Sequence, residues 1–141
     1  HLFVHFGVHS NSKVFLLEQV AWNEMDFRVP DQLGYQPSKL EICSTDGNTG
    51  HSKCTSLPLT EVKEILCKQC NLDGKPMVEL STDPGRFLCN YLYYLSLSNT
   101  EKYSNCHSLF VHVPPFEAIP KTNQLHFVRT LLEQLCHKIC N

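Results

Sequence analysis

Short apolar runs separated by polar turns divide the first part of the chain into two predicted strands and a long loop. His1–Val8 and Lys13–Trp22 are rich in Leu, Phe and Val, and the first run ends in a turn at Gly7. Residues 23–57 contain Asn, Asp, Gly, Pro and Ser at frequent intervals, which is typical of a loop with room for one short hairpin. This pattern predicts no helix before residue 58.

The region from residue 58 alternates helical and extended patterns. Pro58 opens a predicted helix that a glycine-containing turn at Asn71–Lys75 closes, and Pro76–Leu80 is then a short strand. Arg86–Leu97 is an apolar helix, for which Asp83-Pro84 provides a suitable cap and first position. The pattern thus predicts a helix, a strand and a second helix.

The last two predicted elements follow a polar loop at residues 98–107. Ser108–Val113 is a buried strand stopped by Pro114-Pro115, and Asn123–Ile139 is a helix. The apolar stripe of this helix consists of Leu125, Val128, Leu131, Leu132, Leu135 and Ile139. The order of strands and helices predicts an α/β fold, a three-layer α/β/α sandwich with a mostly parallel sheet.

Composition and charge narrow the class of protein. The 141 residues are 42% hydrophobic and 18% charged, which favours one folded domain covering residues 1–141. A formal net charge of −2, without a basic block, argues against nucleic-acid binding through phosphate neutralisation. The apolar runs are shorter than the roughly 20 residues that a membrane-spanning helix requires, so no membrane partner is predicted.

The start of the chain is unusual for a complete protein. HLFVHFGV has neither a basic leader nor a small-residue cleavage site, and therefore differs from a signal peptide. It has the pattern of a buried strand, and no initiator Met precedes it. We expect a fragment or a short isoform of a longer domain.

Eight cysteines raise the question of disulfides or metal. Without a secretory signal, the even count gives little support to a disulfide framework. Cys67 and Cys70 form a lone CxxC, and the other nearby pair, Cys43 and Cys54, has poor spacing for a second half of a zinc site. A structural zinc is the minor alternative, and free thiols in a reducing cytoplasm without a metal or cofactor are the prediction.

Three residues are candidates for catalysis. Cys89 lies in the first turns of the helix after a strand, where backbone N–H groups and the helix dipole favour a thiolate. His112 lies near the end of a strand that is otherwise apolar, and Glu18 lies within the apolar run FLLEQVAW. Each has a structural alternative: a packed thiol, a hydrogen-bonded core imidazole, and an outward-facing acid on a half-exposed strand. Spacing alone leaves these alternatives open.

Three motifs resemble the pyroglutamyl-peptidase I family. STDPGRFLCN at Ser81–Asn90 is similar to its nucleophile segment, and FVHVPP at Phe110–Pro115 is similar to its histidine motif. EQVAWN at Glu18–Asn23 and the segment Arg28–Pro37 resemble its acid-containing signature, including the ten-residue step from the acid to the arginine. The resemblance covers nearly the whole chain and is nearest to the animal pyroglutamyl-peptidase 1-like proteins.

The resemblance implies a phosphorylase/hydrolase-like fold and a cytosolic thiol peptidase that removes pyroglutamate from peptide N-termini. Cys89 would be the nucleophile, His112 the general base, and Glu18 the residue that orients the imidazole. Arg28 would stabilise the oxyanion, although a solvated loop arginine is an equal alternative. The implied partners are peptides with N-terminal pyroglutamate, and neither metal nor cofactor is required. The sequence carries no signal for an oligomeric state.

Three departures from the family pattern favour a second hypothesis. The family's N-terminal segment and first strands are missing, which is expected to leave strand edges and apolar surface uncovered. Val8–Ser12 replaces the small residues usual beside the substrate, and Pro84 replaces an alanine and so removes one N–H. The alternative is a catalytically weak or inactive relative that acts as a binding or regulatory protein.

Overall fold

The computed structural model describes residues 1–140. The strands are β1 (Leu2–Val8), β2 (Phe15–Glu18), β3 (Val20–Trp22), β4 (Ser52–Cys54), β5 (Asn71–Leu72), β6 (Lys75–Pro76), β7 (Val78–Ser81) and β8 (His107–Val113). The helices are α1 (Leu59–Gln69), α2 (Leu88–Thr100) and α3 (Lys121–Cys140), with a 3₁₀ turn at Ser44–Asp46. Among these residues, no helix has the length and apolar character needed to cross a membrane.

A four-stranded sheet in the order β1-β8-β2-β7 forms the centre of the molecule. β1 runs parallel to β8, and β2 runs parallel to β7, whereas β2 and β8 are antiparallel neighbours. The predicted α/β fold with a mostly parallel sheet is therefore confirmed, with one antiparallel pair at its centre. That pair is the one that carries the candidate acid and base.

Side chains that alternate along the central strands face two different helical layers. Leu109 and Val111 of β8 join Phe15 and Leu17 of β2 in the larger core, which α1 and α3 cover. Phe110, between them, points to the opposite face and packs in a smaller core under α2. The two apolar faces of the sheet are thus each buried by helix, which gives the predicted three layers.

β1 lies at the edge of the sheet and pairs only with β8 among the described residues. Three of its apolar side chains, Phe3, Phe6 and Val8, are exposed. The next strands inward are almost fully buried. Within residues 1–140, part of the apolar surface of β1 is therefore left uncovered.

The long loop after β3 is held by one buried asparagine. The Asn23 side chain donates to the carbonyl oxygens of Cys43 and Gly47 at 2.9 and 3.0 Å, and accepts from the Cys43 N–H at 2.8 Å. Beyond this loop, β4 returns to pair antiparallel with β3. The short hairpin expected within residues 23–57 is therefore not formed: β4 pairs with a strand that precedes the loop, and Met25 and Leu40 form an isolated bridge.

The predicted start of α2 at Asp83-Pro84 and Arg86 is wrong, because α2 begins at Leu88. The Asp83 carboxylate accepts the N–H of Gly85 at 3.1 Å and so closes a tight turn instead of capping a helix. Gly85 has φ of +78°, which a right-handed helix does not permit. Cys89 consequently lies nearer the first residue of the helix than the sequence pattern indicated.

Two smaller predictions also need correction. Asn71–Lys75 does more than end α1: it forms a two-residue hairpin in which Asp73 and Gly74 both have positive φ, and the next strand begins at Val78. On α3, Leu125 and Leu132 are exposed, and Gln124 faces inward because its amide donates to the carbonyls of Pro114 and Ile119. The buried face of α3 consists of Gln124, Phe127, Thr130, Leu131 and Leu135.

Candidate active site

The antiparallel pairing of β2 with β8 brings Glu18 and His112 together. Glu18 pairs with Phe110, and His112 pairs with Leu16, so both functional side chains point to the face of the sheet that α2 covers. The His112 Nδ1–H donates to Glu18 Oε1 at 2.7 Å. Glu18 has no exposed surface, and His112 is 5% exposed. The sequence-predicted acid and base thus form one buried hydrogen-bonded pair.

Cys89 approaches this pair from the helical layer. It is the second residue of α2 and is half-buried. Its Sγ lines the same cleft as His112 and lies 3.0 Å from the point that a Cβ on Gly7 would occupy. Sγ is close enough to the imidazole to raise the pKa of His112, although within residues 1–140 the two groups do not form a hydrogen bond of regular geometry.

The electrostatics of His112 reflect two opposing effects. Burial lowers the pKa of His112, but its interactions with Cys89 and then Glu18 outweigh burial and raise that pKa to about 9. The imidazole is therefore a cation at neutral pH. That positive charge compensates the buried Glu18 carboxylate, whose Oε2 finds no partner among the described residues.

Two residues that the sequence analysis did not select fix α2 against the segment that contains Glu18. The buried Asn90 accepts the N–H of Trp22 at 2.8 Å and donates to the carbonyls of Trp22 and Glu24, both at 2.9 Å. Tyr93 donates its hydroxyl proton to the backbone carbonyl of Glu18 at 2.8 Å. Both residues tie α2, and with it Cys89, to the segment that contains the acid. The sequence feature that could have pointed to them is the presence of polar groups in an otherwise apolar helix.

A cleft of about 510 Å³ opens in front of Cys89 and His112. One wall consists of Val8, at the end of β1, and the loop residues 9–11, and Asp83–Phe87 forms another. The His9 ring packs edge-on against the His112 ring, with 5.6 Å between their centroids. The loop that departs from the family pattern is therefore part of the cleft.

Arg28 lies on the same cleft but is not fixed there. It is exposed and forms no ion pair with any described residue. Arg86, in contrast, pairs with Glu24 and Asp83, each at 2.9 Å, and stacks over the Trp22 ring. The structure thus brings Cys89, His112 and Glu18 together, and it places Arg28 on the cleft that Cys89 and His112 also line.

The cysteines were considered above as possible metal ligands. In residues 1–140, all eight thiols are free, and no three His, Cys, Asp or Glu residues are grouped so as to hold a metal ion. Cys70 is buried, and Cys67 directs its Sγ to the carbonyl of Val78 at 3.6 Å. These two cysteines lie in or against the larger core and do not line the cleft.

The fold and this site define an α/β protein with a buried acid–imidazole pair beside a thiol at a helix N-terminus. Residues 1–131 match the pyroglutamyl peptidase family. The chain belongs to that family.

Relatives in several organisms agree with this assignment. Human pyroglutamyl-peptidase 1 is 29% identical over 136 residues, which are 95% of this chain and 59% of that protein. Human pyroglutamyl-peptidase 1-like protein is 25% identical over 98% of this chain and 64% of its own length. Pyrrolidone-carboxylate peptidase of Streptococcus pneumoniae strain 70585 is 36% identical over 69% of this chain and 42% of its own length.

Solved structures show the same fold. Pyrrolidone carboxyl peptidase from Fervidobacterium islandicum AW-1 superposes with a TM-score of 0.79 at 28% identity, over 96% of this chain and 69% of that one. The E192D mutant of the Pyrococcus furiosus enzyme gives 0.78 at 25% identity, over 98% and 70%. The chain spans 42% of the length of the streptococcal relative and 59% of the length of human pyroglutamyl-peptidase 1.

Proposed function

We propose that this chain is a cysteine omega-exopeptidase of the pyroglutamyl-peptidase type, in which Cys89, His112 and Glu18 form the catalytic triad. The hydrogen bond of 2.7 Å between His112 and the buried Glu18 is the observation that carries the proposal. It holds the imidazole in one tautomer and directs Nε2 away from the acid, which is the role of the acid in other triads. The names of the relatives supply the substrate class, peptides with N-terminal pyroglutamate.

The reaction follows from the charges in the site. Transfer of the Cys89 thiol proton to His112 gives a thiolate, which attacks the carbonyl carbon of the pyroglutamyl residue and forms a C–S bond. His112 then gives its proton to the leaving amine as the C–N bond breaks. A water molecule, deprotonated by His112, attacks the thioester, releases pyroglutamate and restores the thiol. Glu18 stabilises the imidazolium in both steps in which His112 holds the proton.

The developing oxyanion has donors near Cys89. The first N–H groups of a helix have no partners within it, and no side chain caps the start of α2 at Phe87. These groups point toward the cleft-facing end of the helix, where the dipole favours negative charge. Arg28 remains a candidate second donor, because it lies on the same cleft and is free of ion pairs with the described residues.

The test is hydrolysis of a fluorogenic pyroglutamyl amide by the chain, beside Cys89→Ala and, as a matched control, Cys136→Ala on the exposed face of α3. The expected result is turnover that Cys89→Ala abolishes and Cys136→Ala preserves. Equal turnover in the two variants would contradict the triad. A prolyl amide substrate, which lacks the lactam carbonyl, is expected to react far more slowly.

A second candidate is a binding or regulatory relative with weak or no catalysis. The observation that favours it is the wall of the cleft formed by Val8–Asn11, including the His9 ring against His112. Folded protein that gives no turnover, yet shows saturable binding of a pyroglutamyl peptide by calorimetry, would favour this candidate. Absence of both turnover and binding would contradict both.

A further inference from the structure

Gly7 lies on β1 beside residues of β8 and α2 that belong to the site. In the parallel pairing of β1 with β8, Gly7 stands beside His112. A Cβ built on Gly7 would lie 3.0 Å from Cys89 Sγ and 2.9 Å from Cζ of Phe110. Both distances are shorter than ordinary contacts between carbon and its neighbours, so the space beside Gly7 is already filled by the thiol and the ring.

The backbone of Gly7 does not itself require glycine. Its φ lies outside the left-handed region that marks Gly34, Gly47, Gly74 and Gly85. Glycine in the interior of a strand costs stability and commonly marks a place where another group approaches closely. The close approach at Gly7 is that of the thiol and Phe110.

We propose that Gly7 is a positioning residue of this site: the absence of a Cβ leaves the space in which Cys89 Sγ sits beside His112. The inference deepens the proposed function and rests on its assignment of Cys89 and His112. A side chain at position 7 would push the thiol away from the imidazole. Phe110 is packed between Tyr93, His5 and His112 and has little freedom to yield instead.

The test substitutes Gly7→Ala, with Gly50→Ala as the matched control. Gly50 lies in an exposed loop, has no left-handed φ, and a Cβ there would meet only the Asn48 side-chain oxygen at 3.2 Å. Two measurements do not depend on turnover: the NMR titration midpoint of the His112 ring, and the rate at which iodoacetamide alkylates Cys89. Peptide mass spectrometry separates Cys89 from the other thiols.

In Gly7→Ala, the His112 midpoint is expected to fall from about 9 toward 6.5, because the contribution of Cys89 is lost while that of Glu18 remains. Alkylation of Cys89 at neutral pH is expected to slow at least tenfold, because the displaced thiol no longer has the imidazole beside it to accept its proton. Gly50→Ala is expected to match the wild type in both. A folded Gly7→Ala protein with an unchanged midpoint and alkylation rate would overturn the proposal.

A second variant provides the test in case Gly7→Ala does not fold, because the new methyl group also contacts Phe110. The double variant Gly7→Ala/Phe110→Leu shortens the obstructing ring and leaves the contact with Sγ, and Phe110→Leu alone is its reference. The double variant should fold and still show the shifted midpoint relative to Phe110→Leu. If it has the reference midpoint, Gly7 serves only the packing of Phe110 and the proposal is wrong. Wild-type protein without turnover, but with the midpoint shift in Gly7→Ala, would contradict the proposed function alone.

Discussion

His112 Nδ1 and Glu18 Oε1 lie 2.7 Å apart, although the two residues are separated by 94 positions in the chain. Water has almost no access to either side chain. A carboxylate buried in this way is stable only beside a positive charge, and an imidazole keeps a positive charge in such a place only beside a negative one. Loss of either member should therefore strongly affect the other.

Glu18→Gln is expected to lower the titration midpoint of His112 from about 9, because the charge and the acceptor that favour the imidazolium are both lost. If the chain is active, turnover should fall by on the order of 10²–10⁴-fold, as for other triads with a neutralised acid. NMR titration of the imidazole and the fluorogenic assay measure the two effects. Glu79→Gln, on the exposed face of β7, is the control that should change neither.

Stability should depend on pH in a window set by the pKa of His112, which Cys89 and Glu18 both raise. The pKa of His112 is higher in the folded protein, at about 9, than the ordinary value of 6.5 expected after unfolding. The folded state thus binds the proton more tightly, and this contribution is fully present below pH 6.5 and is lost as pH rises through 9. Its size is on the order of 3 kcal/mol, from the usual conversion of pKa differences.

Urea unfolding between pH 6 and 10 tests this window. Because the free thiols also titrate in the range, the informative quantity is the difference in unfolding free energy between wild type and Glu18→Gln at each pH. That difference should shrink as pH rises from 6.5 to above 9. Parallel curves for the two proteins would show that the Glu18–His112 pair does not bind the proton preferentially in the folded state.

Asn90→Ala is expected to destabilise the protein and loosen Cys89. The substitution leaves the N–H of Trp22 and the carbonyls of Trp22 and Glu24 without their partner, and each buried orphaned group costs roughly 1–3 kcal/mol. Asn99→Ala on the same helix is the control, because the exposed Asn99 amide donates to the Leu95 carbonyl of its own helix and accepts only a long bond from Lys102 at 3.5 Å. Thermal unfolding of the two variants gives the comparison, and equal melting temperatures would contradict the role of Asn90.

The sequence predicted which residues form the site better than it predicted the strand pairing that brings them together. Period-two and helical patterns placed His112 on a buried strand and Cys89 near a helix start, because burial leaves a periodic trace in sequence. The antiparallel contact of β2 with β8 left no such trace, since strand neighbours depend on long-range packing. The α2 start was misplaced because Asp83 suits a turn as well as a cap, and only the positive φ of Gly85 decides between them.

One buried and one exposed leucine of α3 give a test of how this helix packs against the core. Hydrophobic spacing alone placed Leu125 and Leu131 on one stripe, yet Leu131 is fully buried and Leu125 is 59% exposed. Leu131→Ala should therefore remove buried methyl groups from the larger core and cost roughly 2–5 kcal/mol in unfolding free energy. Leu125→Ala should change that free energy by no more than about 0.5 kcal/mol, as surface substitutions do. Urea unfolding of the two variants at one pH measures the contrast. Similar losses would mean that both leucines are buried, and that the inward amide of Gln124 does not set the rotation of the helix.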